Sequence, residues 1–121
     1  MVTTFRAVAE SSTRLYSAVL TDENGNRLGS SGIDSIKLTL YNRHDRAIVN
    51  SRDAQNVLNA NGGSLDSQGN FTFEFTPLDT AILDDTLEYE NRIALFEVVF
   101  AGTRKSAQEI EFQIRNAINV P

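Results

Sequence analysis

The chain has one histidine, no cysteine and no tryptophan among its 121 residues, so the side chains able to do chemistry are few. His44 is the sole imidazole. A Ser-His-Asp site would have to use it, and no Gly-x-Ser-x-Gly sequence exists to present the nucleophile. Its neighbours Arg43, Asp45 and Arg46 mark an exposed polar turn instead. Asp22, Asn24 and Asn26 supply oxygens at alternate positions, as a calcium loop does. That loop also needs Gly at 27 and Glu at 33, where this chain has Arg27 and Ile33. Asn24-Gly25 then reads as a turn dipeptide. Asp79, Asp84, Asp85, Glu88 and Glu90 form a second acidic group that could ligate a cation or meet a basic partner. Nothing in their spacing aims the carboxylates at one point, so they read as a solvated loop. With sixteen acids present, some pair always lies at the separation of a glycoside-hydrolase couple, which makes that signal non-specific.

The remaining motifs are weaker. Gly29-Ser30-Ser31-Gly32 lacks the Lys-Ser/Thr of a phosphate-binding loop, and Asn70-Phe71-Thr72 is a glycosylation sequon by pattern alone. Without cysteine there is no disulfide framework, thiolate metal site or cysteine nucleophile. Arg43 with Arg46, and Arg104 with Lys105, could contact an acidic partner or simply keep the surface soluble. The sequence therefore names no catalytic, cofactor-binding or metal-ligating residue and implies no cofactor.

Alternating strands must carry whatever the molecule does. Glu88 to Asn116 organises the chain: Arg92–Ala101 is nearly all apolar apart from Glu97, while Ala107–Asn116 alternates Ile110, Phe112 and Ile114 with polar residues. A central strand and an outer strand, joined through Gly102–Ser106 as an antiparallel hairpin, follow from that contrast. Leu95 and Val99 lie on the pleat opposite Phe96, Val98 and Phe100, so this strand needs cover on both sides. Phe71, Phe73 and Phe75 share one face and supply the largest block of core. Asp34–Tyr41 turns Ile36, Leu38 and Leu40 inward; Thr13–Thr21 sets Leu15 and Val19 against Tyr16, Ala18 and Leu20. Ala47–Val49 reads as the return strand of a hairpin. Arg52–Leu58 reads either as a helical turn capped by Ser51 or as a distorted edge strand, in both cases a connection rather than core. Thr76-Pro77-Leu78-Asp79 has the cap, proline and early acid of a helix start, running to about Leu83.

These elements predict an all-β chain: an immunoglobulin-like antiparallel β-sandwich of six or seven strands with one or two short helical connections. One domain accommodates the length. Residues 13–121 form the sandwich, and residues 1–12 an N-terminal arm or edge strand. A net charge of −5 opposes general attraction to nucleic acid or to an anionic membrane. The expectation is neither a nucleic-acid nor a membrane partner, and synthesis in the cytoplasm.

From Gln55 to Asn116 the sequence resembles small virion structural proteins of tailed bacteriophages. The resemblance is carried by Thr76-Pro77-Leu78-Asp79-Thr80-Ala81-Ile82-Leu83-Asp84-Asp85, by Arg92-Ile93-Ala94-Leu95-Phe96-Glu97 and by the closing Glu109–Asn116. It implies a non-enzymatic virion protein, made in the host cytoplasm, that decorates the capsid or sits at the head-tail junction. Its partners would be other virion proteins of the capsid, portal, neck or tail, met as repeated copies in a homo-oligomer. The resemblance carries no site residues. A tail or baseplate subunit is the alternative within that class. A carbohydrate- or cell-surface-binding module is another, opposed by the absence of Trp and the presence of only three Tyr. A hydrolase would require carboxylates with shifted titration near His44 or Asp84-Asp85.

Overall fold

The computed structural model describes residues 2–4, 8–9, 11–21, 24–83, 86, 88–101 and 105–115. Asp22 and Glu23 of the expected turn Asp22-Glu23-Asn24-Gly25-Asn26, the acids Asp84 and Asp85, and the loop residues Gly102 to Arg104 lie outside the described residues. Among those described, the chain is all-β, with strand segments β1 (Val2–Thr4), β2 (Val8–Ala9), β3 (Arg14–Val19), β4 (Ile33–Asn42), β5 (Gln55–Asn56), β6 (Gly63–Leu65), β7 (Asn70–Phe75), β8 (Tyr89–Phe100) and β9 (Lys105–Arg115). The larger sheet has the order β1-β9-β8-β4-β5 with β2 also on β9, and the smaller has the order β3-β7-β6. The two sheets form the expected sandwich. One 3-10 turn, Ser30–Gly32, leads into β4.

Period-2 alternation sets the faces. Leu38 lies opposite Phe96 and Leu40 opposite Ala94, so Ile36, Leu38 and Leu40 of β4 share the inner face with Ala94, Phe96 and Val98 of β8. Ile110, Phe112 and Ile114 of β9 join them, and all of these side chains are buried. From the smaller sheet Phe71 and Phe73 meet Phe96 edge-on, at 5.7 and 5.6 Å, and Phe75 meets Phe112 at a tilt, 5.2 Å away, centroid to centroid. Each buried phenylalanine contributes roughly 1.5–3 kcal/mol of transfer free energy, so the three together form the main seam between the sheets.

The edges depart from the expected pattern. β9 is not an outer strand, because β1 and β2 lie along its free edge in parallel register, Val2 opposite Glu109 and Val8 opposite Ile114. The larger sheet is therefore mixed rather than wholly antiparallel. The segment expected as an arm or edge strand supplies the edge pieces β1 and β2 and contributes Val8 to the core. Ala47–Val49 makes only a single bridge, Tyr41 to Ile48, beside the Val49 N–H bond to the Leu40 carbonyl.

Residues 52–58 take the edge-strand form, with β5 pairing Gln55 and Asn56 to Leu38 and Lys37. They are not mere connection, since Arg52 and Val57 are both buried. A helix is blocked here because Asn50, Ser51 and Ala54 have φ between 50° and 56°, left-handed values that no α-helix contains. Gly63 follows because a side chain at that position would overlap the Val57 carbonyl oxygen. After Thr76 the anticipated helix stops at a single turn, with Asp79 and Thr80 N–H groups bonding the Thr76 carbonyl.

Candidate functional site

Two places collect the side chains that might act. The first is the end of the sandwich where β4 finishes and β8 begins. The parity of β8 turns Glu90 and Arg92 to the same inner face as Ala94 and Phe96. There Arg92 is fully buried: Nη2 donates to Glu90 Oε1 at 2.8 Å, Nε to Asn42 Oδ1 at 3.0 Å, and Nη1 to the carbonyls of Asp79 and Ala81. Glu90 Oε1 also accepts the Leu83 N–H.

Beside it, Asp79 accepts Nε and Nη2 of Arg52 on its two oxygens, at 2.5 and 3.0 Å. The Asn50 amide and the Thr76 N–H and hydroxyl complete its shell. Burial opposes ionisation of Asp79. The hydrogen bonds from Arg52, Asn50 and Thr76, with the Arg52 charge, outweigh it and hold the carboxyl below its ordinary range. Burial lowers Arg92, while Glu90 and Asp79 oppose that shift.

Arg52 also reaches Gln55 and the Asn61 carbonyl and lies 4.9 Å from the Phe73 ring centroid. It thereby braces the left-handed turns around it against β7. Thr80 bonds both the N–H and the carbonyl of Ser12, tying the start of the chain to the same knot. Among the described residues no buried side-chain nitrogen or oxygen lacks a partner. This cluster is closed: its ions are paired, its lone pairs are used, and it holds three loops together.

Sequence reasoning placed Asp79 and Glu90 in a solvated loop, and the structure corrects this: both are buried, each against an arginine. Two signals were available. Thr76 and Asp79 have capping-box spacing, and Glu90 and Arg92 sit in phase with the apolar residues of β8. Glu88 is exposed. The other candidates remain scattered. His44 lies on an exposed turn, Nε2 3.7 Å from Asp45 Oδ2, and Arg43 pairs with Glu111 at 2.6 Å. Arg46, Lys105, Asn24 and Asn26 are exposed. Among the described residues Asp66 is the other carboxylate with displaced titration, also pushed down, by the Asn70 side chain first and then the Asn70 and Gln68 N–H groups in its own turn. No group of three or more His, Asp or Glu that could hold a metal occurs among the described residues.

Compared with protein-family models, curated proteins and solved structures, the chain matches none.

The second place is a surface. On the outer side of the larger sheet Tyr41 stands opposite Ile93 and Thr39 opposite Leu95, with Ile48 bridged to Tyr41. Tyr41, Leu95 and Val99 are half-buried and Ile48 is 42% exposed, giving an apolar stripe obliquely across β4 and β8. Beyond it Lys37, Glu97 and Lys105 border a hollow with Val99 and Ala107. The stripe mixes apolar contact with charges of both signs, the make-up of a protein-contact face. A separate cleft of about 240 Å³ opens between the sheets, where Tyr16 stacks on Phe96 at 5.4 Å above Phe71 and Phe100.

Proposed function

We propose that this chain is a non-enzymatic structural component of a tailed-bacteriophage particle, decorating the capsid or sitting at the head-tail junction and acting through repeated contacts with capsid, neck or tail proteins. The observation that carries the assembly role is the stripe of exposed Ile48 and half-buried Tyr41, Leu95 and Val99 on the outer side of a sheet whose inner side is already filled. A sheet needs only one buried face to fold, so apolar side chains on the second are left for a partner. The closed arginine–carboxylate knot supports the same reading, because its charges are used in holding loops rather than presented to a substrate. The placement in a phage particle rests on the resemblance of residues 55–116.

Quantitative mass spectrometry of purified particles tests the proposal. Copies on the order of hundreds fit capsid decoration, and about a dozen fit a closed ring at the junction. Absence from the particle overturns the reading.

A further inference from the structure

The chain holds two Asn-Gly dipeptides, Asn24-Gly25 and Asn61-Gly62, and both are exposed. Such a pair can react with itself. The glycine backbone nitrogen gives up its proton to water and attacks the asparagine side-chain carbonyl carbon; a C–N bond forms and the side-chain nitrogen leaves as ammonia. Water then opens the resulting cyclic imide at either carbonyl, to aspartate or isoaspartate. Water is the only co-reactant, and a glycine in second place puts no side chain in the path of attack. We propose that Asn24 is a site of this self-modification in the folded protein, and that Asn61 is locked against it.

Ring closure needs the attacking nitrogen within about 3–3.5 Å of the carbonyl carbon, so it depends on whether the peptide between the two residues can turn toward the side chain. At Asn61 that peptide is held. Asn61 and Gly62, at φ 54° and 100°, are the central residues of a turn closed by the Gly63 N–H on the Ala60 carbonyl. Two positive φ values in succession are the demand of a type I′ turn, which Asn-Gly meets best. The Asn61 carbonyl accepts Arg52 Nη1 at 3.1 Å, its side-chain nitrogen donates to the Asn56 carbonyl at 2.8 Å, and the Gly62 carbonyl accepts the Glu74 N–H. Turning the peptide breaks the turn and the Arg52 bond; swinging the side chain round breaks the bond to Asn56. The space is also tight, with the Glu74 carbonyl oxygen 3.1 Å and the Phe73 ring 3.4 Å from where a Gly62 side chain would start.

At Asn24-Gly25 only the glycine is left-handed, at φ 82°. Nothing lies within 4 Å of where a Gly25 side chain would begin. The pair sits on an excursion from the sandwich that is pinned behind it by the Thr21–Arg27 bridge and by the Leu28 N–H on the Leu20 carbonyl. Turning the Asn24–Gly25 peptide leaves both closures in place. Exposure therefore does not separate the two dipeptides, whereas backbone packing does. Each conversion at Asn24 replaces a neutral amide by a carboxylate and takes the net charge from −5 one unit further negative, next in sequence to Asp22 and Glu23. The protein thus gains charge with age on a loop and keeps its sheets intact. This inference is independent of any place in a particle.

The test uses the wild-type chain. Samples are held at mildly alkaline pH, folded or unfolded in guanidinium chloride, and timed aliquots are peptide-mapped by mass spectrometry, which locates each replacement of NH2 by OH. In the folded protein Asn24 converts at least about tenfold faster than Asn61, because reaction at Asn61 waits on local opening. In denaturant the two rates come within about threefold of each other, since the restraints on Asn61 are gone. Gly25→Ala slows conversion at Asn24 and leaves that at Asn61 as it was, which ties the reaction to the Gly25 nitrogen. Equal rates in the folded protein overturn the proposal, and so does an Asn24 that converts only in denaturant.

Discussion

Arg92 and Glu90, two residues apart on one strand, bond to each other at 2.8 Å with both side chains all but excluded from solvent. Neighbours at that spacing share a face of the sheet, so β8 carries its own counter-ion into the core.

Removing one partner strands the other. Arg92→Leu should lower the unfolding free energy by roughly 3–5 kcal/mol, because Glu90 would be left buried without its partner. The double variant Glu90→Leu/Arg92→Leu should recover part of that loss. Urea unfolding of the two singles and the double checks this, and additive losses would show that the pair is not coupled.

Asp79 predicts a pH response. Its folded carboxyl titrates below the ordinary 3.8, so the stability it contributes is present above that pH and is lost as pH falls through the lower, folded value. Asp79→Asn should cost about 3 kcal/mol at neutral pH by leaving Arg52 unpaired. The gap between the two proteins should narrow on acidification below 3.8. Urea midpoints across that range would show it, whereas a pH-independent gap would assign the loss to packing.

Two glycines separate steric crowding from backbone conformation. Gly63→Ala should destabilise by roughly 1–3 kcal/mol through overlap with the Val57 carbonyl. Gly25→Ala meets open space but sits at φ +82°, so its cost should be about 1 kcal/mol, all of it conformational. Thermal unfolding ranks the two, and equal or inverted costs would contradict the close approach at Gly63.

Phe73 joins the aromatic seam to the Arg52 brace. Phe73→Ala should cost roughly 3–5 kcal/mol. Phe73→Leu should cost less, yet still loosen the 46–61 loop, which proteolysis at that loop would detect.

The outer stripe should matter to partners more than to folding. Ile48→Lys should shift stability by no more than about 0.5 kcal/mol. Incorporation of that variant into particles should nonetheless fall when measured by mass spectrometry against wild type. Unchanged incorporation would remove Ile48 from the contact.

The core was legible because alternation at Ile36–Leu40, Phe71–Phe75 and Ile110–Ile114 maps directly onto one face of a strand. The knot was less so. Arg52 and Asp79 are far apart in sequence, and a charged residue in a polar stretch carries no periodic mark that distinguishes burial from exposure. Left-handed Asn50, Ser51 and Ala54 also defeated local reasoning, since tertiary bonds from Asn50 and Arg52 to Asp79 and from the Ala54 N–H to the Thr39 hydroxyl accompany those conformations. The parallel seat of β1 and β2 escaped because a short segment of mixed apolar and polar residues states neither its direction nor its partner.

That seat also bears on how the molecule is made. β1 and β2 leave the ribosome well before β9, the strand that receives them, so the sandwich cannot complete that margin until β9 has been made. The closing contact is among the most distant in the chain, which favours slow folding.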